Sequence, residues 1–423
     1  PPDSVIVARD LMPSETVCMD RENVSGIATE SGGPTSHTAI LARSLGIPAV
    51  TGLEGLLEMV DTGTICLLDG AKGTLVIGPS DAQRRRFRMR RREFEQSQQL
   101  MRVMESRVSR LKNGTRIKLL ANINQPEDVN LVHEHNLDGI GLYRTELMYL
   151  SASSAPSAAV QHRHYNRAAE ACAGMPMTIR TFDFGADKHP SFLAIDTSAL
   201  ELRGLRFALR QSRLFKSQLR AIVRGARKYP NTRMLFPMVT GWWELKDALD
   251  MVRSISEEEQ LERPISVGAM IETPAAVFAL PEIIQRVDFI SIGCNDLAQY
   301  TLAMERGSAC QTMSGAALHP SLLRAIRQIV ETASRTDCPV CVCGEAASDP
   351  VVAAVFTGLG VRELSVSPVR APVVRYALRH LSLAEAKRTA ECAIHADPAL
   401  VMDDLQAILP AEFRSILAME PSA

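Results

Sequence analysis

Two sets of residues in this chain have types and spacing suited to chemistry. The first is the stretch Ser31-Gly-Gly-Pro-Thr-Ser-His-Thr-Ala-Ile-Leu-Ala-Arg-Ser-Leu-Gly-Ile-Pro-Ala-Val50. It sets one histidine, His37, after a turn of small residues and at the mouth of an apolar helical run. Small residues let a bulky anion approach the backbone. A helix N-terminus offers free N–H groups and the positive end of a dipole to a phosphate. Imidazole is a good nucleophile and is largely neutral near neutral pH. The pattern suits a histidine that receives a phosphoryl group; the plainer alternative is a histidine that caps a helix.

The second set is a series of polar residues that close apolar segments. Arg144-Thr-Glu146 ends one segment, and Arg180 and Asp183 end the next, with Lys188 beyond them. Arg203 and Arg206 follow. Glu272 ends a further segment, Asn295-Asp296 another with Arg306 behind it, and Cys343-Gly-Glu345 another. Arginines grip carboxylate and phosphate through bidentate charged hydrogen bonds. Glu272 and Asp296 offer hard oxygen ligands for Mg2+, which completes its octahedron with water and substrate oxygens. Asn295 can donate to a phosphate oxygen, and the Cys343 thiol can give or take a proton at carbon. The set fits a small, highly anionic substrate that carries both phosphate and carboxylate.

Elements that would position these groups can be read along the chain. With 423 residues, two or three domains are expected. Residues 1–81 hold the short apolar strands Val5–Ala8, Gly26–Ala28, Ile47–Val50, Thr64–Leu68 and Gly73–Ile77, with one helix at about 37–45. That predicts a compact mixed β/α domain presenting His37. Residues 82–112 lack Pro, are rich in arginine from Arg84 to Arg92, and place Phe87, Phe94, Met101 and Val108 seven apart. We read a long amphipathic linker helix with a solvated arginine face, able to act as a hinge, rather than a nucleic-acid patch.

From residue 113 to 423 strands and helices alternate. The expected strands are Ile117–Asn124, Gly139–Thr145, Met177–Asp183, Arg233–Val239, Ile265–Glu272, Asp288–Asp296, Pro339–Glu345 and Glu363–Ser367. Helical patterns lie between them, including Leu200–Ser212, Ser217–Lys228, Gly241–Glu257 and Pro320–Thr336. Eight nearly continuous apolar strands predict a (β/α)8 TIM barrel. A doubly wound open sheet is weaker, because no Gly-rich nucleotide fingerprint follows the first strand. In such a barrel these polar groups close strands at one face, where barrel active sites form.

Composition excludes several classes. A net charge of −1 gives no reason to expect nucleic acid or a membrane surface as partner. No apolar run reaches the length of a membrane span, and the nine cysteines are scattered, which suits reduced cytoplasmic thiols. Cys338, Cys341 and Cys343 lack a second pair at zinc-finger spacing. Cys294 reads as core packing and His319, before Pro320, as a helix-start residue.

The motifs, taken in order, resemble enzyme I of the phosphoenolpyruvate (PEP)-dependent sugar phosphotransferase system. They are Ser31–Val50, Gly139–Glu146, Ile179–Lys188, Leu235–Val239, Gly268–Ala276, Phe289–Leu302 and Cys343–Glu345. The resemblance implies a swivelling phosphohistidine domain joined to a PEP-binding barrel. It implies His37 as phosphoryl acceptor, Glu272 and Asp296 as Mg2+ ligands, and Arg144, Arg180 and Arg306 on PEP with Asn295 and Lys188 assisting. Arg203 is the expected further contact, with Arg206 as fallback, and Cys343 the acid that protonates the enolate carbon. It also implies transfer to a carrier protein such as HPr, a homodimer through the barrel and a cytoplasmic location. Pyruvate phosphate dikinase and PEP synthase share these two domains but need a large ATP-binding domain for which this chain has no room.

The chain departs from that pattern in three places. No helical HPr-docking subdomain is present, and residue 1 is Pro, so a chain beginning inside a longer gene product, or one serving another acceptor, is expected. Thr197-Ser198 replace the usual Asn-Pro and Glu201 a glycine. Cys294 replaces a threonine. The rival readings are a relative that passes the phosphoryl group to a small molecule or a protein other than HPr, and a non-catalytic regulator that binds PEP.

Overall fold

The computed structural model describes residues 4–9, 24–32, 47–70, 72–92, 108–184, 189–193, 203–304 and 313–397, with 401 and 405. These divide into two compact units, one up to residue 92 and one from residue 108 onward.

In the first unit, β1 (Ser4–Ala8), β2 (Val24–Thr29) and β3 (Ala49–Val50) form a parallel sheet in that order. β4 (Cys66–Asp69) and β5 (Thr74–Ile77) pair antiparallel, with Cys66 opposite Ile77. The short apolar runs read from the sequence supply all five strands. Ala28, Val50, Leu56 and Leu68 form the buried centre, with Val5, Val7 and Ile77 packed around it. Leu56 comes from a one-turn helix, Leu56–Met59, that the sequence did not announce. His37 and its expected helix lie outside the described residues.

The second unit is a closed eight-stranded barrel. Its strands are β6 (Lys118–Ile123), β7 (Ile140–Tyr143), β8 (Met177–Arg180), β9 (Thr232–Phe236), β10 (Ser266–Ile271), β11 (Phe289–Ile292), β12 (Val340–Val342) and β13 (Glu363–Val366). Each pairs in parallel with the next, and β13 closes on β6 from Glu363 opposite Lys118 to Val366 opposite Ala121. This is the TIM barrel predicted above, and all eight expected segments contain a strand. β7, β8 and β11 are buried along their whole length, as strands covered on both faces must be. Leu142, Leu235, Met270, Phe289 and Cys343 form one buried cluster. They come from β7, β9, β10, β11 and the end of β12, so they can meet only inside the barrel, which is filled rather than open.

Outside β8 and β9 an aromatic layer locks the helices on. Phe182 stacks on Phe184 at 4.8 Å between ring centres, and Tyr149, Phe207 and Phe215 meet Phe182 edge-on. Burying each such ring stabilises the fold by about 1.5–3 kcal/mol.

The linker helix needs correction at its end. Residues 81–92 are helical, and 93–107 lie outside the described residues. Residues 108–111 are not helical: Arg110 bridges Arg116 in antiparallel fashion, and Lys112 N–H donates to the Leu381 carbonyl. The seven-residue spacing reaches Val108, but Asn113-Gly114 makes a turn there. Gly114, at φ +85°, lets the chain double back onto the barrel.

Candidate active site at the barrel mouth

The polar groups read at strand ends lie at or just past the C-termini of barrel strands, and parallel strands bring those ends to one face. Arg144 and Glu146 follow β7, Arg180 ends β8, Glu272 follows β10, Asn295 and Asp296 follow β11, and Cys343 follows β12. Arg203 enters from the N-cap of the helix Gly204–Arg210. Gly204, at φ +56°, lets that helix press on the turn after β9, where an added Cβ would lie 2.4 Å from Met238 Cβ. Met238 is itself left-handed, at φ 54°, and its N–H donates to Glu272 Oε1 at 2.6 Å. The Arg203 helix and the Glu272 carboxylate are therefore set by the same turn. Gly293 leaves room on the other side: a Cβ there would lie 2.5 Å from Glu272 Oε2.

Charges alternate across the face. The Arg180 guanidinium lies 3.0 Å from Glu146 and 3.4 Å from Asp183, and Glu146 also accepts the Asp183 N–H at 2.8 Å. Arg203 holds both oxygens of Asp183, at 3.0 and 2.9 Å, and reaches Asp296 at 2.6 Å. Arg144 meets Glu345 at 3.2 Å. Burial opposes the charge on Arg180 and on Arg203, but the carboxylates around each outweigh it and hold both guanidiniums protonated. Glu272 is 1% exposed. Burial, then the negative charges of Asp296 and Asp183, push its carboxyl well above the usual range, against the pull of Arg180 and the Met238 N–H.

Two buried polar atoms at the mouth have unfilled bonding capacity. Arg180 Nε and Asn295 Oδ1 are buried with no hydrogen-bond partner. Glu272 and Asp296 are desolvated acids whose ionised forms call for positive charge. Among the described residues no three His, Cys, Asp or Glu side chains gather as a metal cage. Two carboxylates beside a polyanionic ligand nevertheless fit Mg2+, which takes one or two protein carboxylates and fills its shell with substrate oxygens and water. Cys343 is buried, its thiol near the Ile292 carbonyl at 3.5 Å. Burial pushes that thiol up to about 11, with Arg180 and Arg144 pulling the other way, so it holds its proton at neutral pH.

The barrel thus brings together Arg144, Arg180, Arg203, Glu272, Asn295, Asp296 and Cys343. Arg206 points elsewhere, toward Glu244 at 3.6 Å. His37, Lys188 and Arg306 lie outside the described residues. Cys294 is buried in the core, and His319 caps the helix Pro320–Ser334, its Nδ1 accepting the Ser321 N–H. Sequence reading saw Glu146 and Asp183 only as polar strand ends; their work is to hold the arginines. It missed Gln218 and Gln161, both fully buried behind the site. The available signal was a glutamine on the apolar stripe Phe215, Leu219, Ile222 of the helix Ser212–Lys228.

A filled parallel barrel with arginines and carboxylates at its mouth defines an enzyme for a small anionic substrate. Two family models match the chain: PEP-utilising enzyme, PEP-binding domain, over residues 98–383, and PEP-utilising enzyme, mobile domain, over residues 1–73. The chain belongs to the PEP-utilising enzymes. It is 39% identical over 403 residues to a multiphosphoryl transfer protein of Rhodobacter capsulatus, covering 93% of this chain and 48% of the relative. It is 35% identical over 397 residues to a phosphoenolpyruvate-protein phosphotransferase of Bacillus sp. (strain S), covering 92% and 68%. A third relative, the phosphoenolpyruvate-protein phosphotransferase of Haloferax volcanii, is 36% identical over 407 residues, covering 94% and 70%. The chain spans about half the length of the multiphosphoryl transfer protein and about two thirds of the phosphotransferases.

Proposed function

We propose that this chain carries the phosphoryl-transfer core of a PEP-protein phosphotransferase. The supporting observation is the barrel mouth itself, where three arginines, two desolvated carboxylates and a protonated thiol converge, in a chain whose other part matches the family's mobile domain.

In this reading PEP binds with its phosphate and carboxylate against Arg144, Arg180 and Arg203, with Asn295, Lys188 and Arg306 assisting. These contacts fix the phosphorus for in-line attack and neutralise its charge, which is most of what phosphoryl transfer asks of a protein. Glu272 and Asp296 are the pair that would hold Mg2+, whose charge, when bound, stabilises the phosphate and enolate oxygens. A His37 ring nitrogen forms the new bond to phosphorus as the bridging P–O bond breaks. The electron pair of that bond stays on the enolate oxygen. As the enolate collapses to the ketone, its terminal carbon takes the Cys343 proton, giving pyruvate, and the thiolate regains a proton from solvent. Phospho-His37 then passes its group to a carrier protein of HPr type, with residues 82–112 as the hinge between a phosphohistidine domain, 1–81, and a barrel domain, 113–423. A homodimer through the barrel and a cytoplasmic location accompany this reading by resemblance. Among the described residues no helix is long and apolar enough to cross a membrane.

The test is incubation with PEP and Mg2+, followed by intact mass, acid-lability and pyruvate assay for wild type and His37→Ala. An acid-labile phosphoryl adduct with pyruvate release, absent in the variant, is expected. Pyruvate release that survives the substitution would sink the reading. Transfer from the adduct to added HPr separates it from a relative that serves a small-molecule acceptor.

A further inference from the structure

Behind the two arginine-bearing strands runs a chain of buried polar side chains that the mechanism above does not use. Gln218 is fully buried on the helix Ser212–Lys228. Its Oε1 accepts the Phe182 N–H at 3.0 Å, and its Nε2 donates to Thr145 Oγ1 at 3.0 Å and to the Tyr165 hydroxyl at 3.1 Å. The Thr145 hydroxyl in turn donates to the Arg180 carbonyl at 3.0 Å. Farther out, Gln161 Oε1 accepts from Tyr149 at 2.7 Å and from Tyr165 at 3.3 Å, and its Nε2 donates to the Pro156 carbonyl at 2.9 Å.

The place of these bonds in the chain matters more than their number. Thr145 stands between Arg144 and Glu146. Phe182 stands between Arg180 and Asp183, one residue from the latter. A single amide therefore ties the end of β7 to the end of β8, where the strand ladder has given out. The pairing of these two strands is itself irregular, its register shifting between Ile140 and Tyr143. Past Tyr143 the two strand ends are joined by side chains: the Thr145 hydroxyl on the Arg180 carbonyl, Glu146 on the Asp183 N–H and the Arg180 guanidinium, and Gln218, which alone among the described residues bonds to both Thr145 and Phe182. A glutamine on a core stripe is costly unless its amide is satisfied, and here both ends are.

We infer that Gln218 is a positioning residue for PEP binding: through Thr145 and Phe182 it sets Arg144 and Arg180 in register to receive one anionic ligand. Arginine forks hold carboxylate and phosphate only when their planes are aimed, and displacements of about 1 Å at such contacts can cost a hundredfold. This inference rests on the PEP reading above.

The experiment compares wild type, Gln218→Met, Thr145→Val and Leu219→Ala. Gln218→Met keeps the volume and removes the amide. Thr145→Val removes only the hydroxyl and is the milder change should the first fail to fold. Leu219 is the fully buried neighbour of Gln218 and touches neither bond, so its truncation reports loss of packing alone. PEP affinity is read by calorimetry with Mg2+ present, stability by thermal melting, and the pyruvate burst as a function of PEP concentration. Gln218→Met and Thr145→Val should raise the PEP dissociation constant and the half-saturating PEP concentration at least tenfold. The burst rate at saturating PEP should stay within threefold of wild type. Leu219→Ala should lower the melting temperature and leave PEP affinity within twofold. Unchanged PEP affinity in both polar variants, or an equal loss in Leu219→Ala, would overturn the inference. Failure of wild type to bind PEP would instead overturn the functional reading beneath it.

Discussion

Arg203 Nη1 lies 2.6 Å from Asp296 Oδ1 while the same guanidinium grips both oxygens of Asp183. One arginine thus neutralises two of the carboxylates at the barrel mouth, and it occupies an oxygen that a divalent cation at Glu272 and Asp296 would need. In the proposed reading, a divalent cation held by Glu272 and Asp296 would compete with the guanidinium for Asp296, and a bound phosphate would relieve that competition by engaging the guanidinium.

Arg203→Gln should therefore bind divalent cation more tightly in the absence of PEP, by about tenfold or ~1.4 kcal/mol, and bind PEP more weakly. Mn2+ titration followed by electron paramagnetic resonance of the free ion reads the first effect directly. Mn2+ affinity equal to or below wild type would show that Arg203 does not guard Asp296.

The buried Cys343 thiol keeps its proton at neutral pH, which suits the acid role proposed for it. Cys343→Ala should slow pyruvate formation by about a hundredfold, the scale of one general acid, while the phospho-His37 that does form should still transfer its group at the wild-type rate. Alkylation of this thiol should be slow at neutral pH and climb as pH rises toward about 11. The sign for stability follows from the same shift. The folded state holds the proton more firmly than the unfolded chain, whose thiol has the ordinary value of 9.0. The contribution is complete below 9.0 and is lost as pH rises through about 11. A Cys343→Ala protein should lack that alkaline loss, seen as a flatter melting temperature between pH 9 and pH 11. Fast alkylation at neutral pH would contradict the burial argument.

Gly293 matters because Glu272 fills the space its missing side chain leaves. Gly293→Ala brings a methyl to 2.5 Å from Glu272 Oε2, at a backbone conformation that alanine tolerates, φ −89°. Glu272 must move. The variant should fold, lose about 1–3 kcal/mol as overpacked sites do, and lose divalent affinity out of proportion to stability. Mn2+ binding as tight as wild type in a folded Gly293→Ala protein would show that Glu272 is not a ligand.

Much of this protein could be read along the chain. Barrel strands covered on both faces are mainly apolar, so all eight announce themselves as short runs such as Phe289–Ile292, and the charged or polar residues that stop several of these runs mark the mouth. Strand spacing alone places Arg144, Arg180, Glu272, Asp296 and Cys343 on one face. Where the reading failed, the deciding contact was distant in sequence. The helix expected through Leu111 stops short of Val108 because Arg110 pairs with Arg116 and Lys112 with Leu381.

The sequence by itself determined the barrel, the set of charged residues at its mouth and the family to which the chain belongs, because each depends on local periodicity or on motifs within one segment. Tertiary structure alone decided which arginine meets which carboxylate. Arg203 reaches Asp183 and Asp296, 20 and 93 residues away, whereas Arg206, three residues on, turns to Glu244. It also decided that Gln218 bridges two strand ends, since a side chain's partners across a barrel are set by closure of the sheet and by the angle at which each helix packs on it. Neither is encoded at any one position.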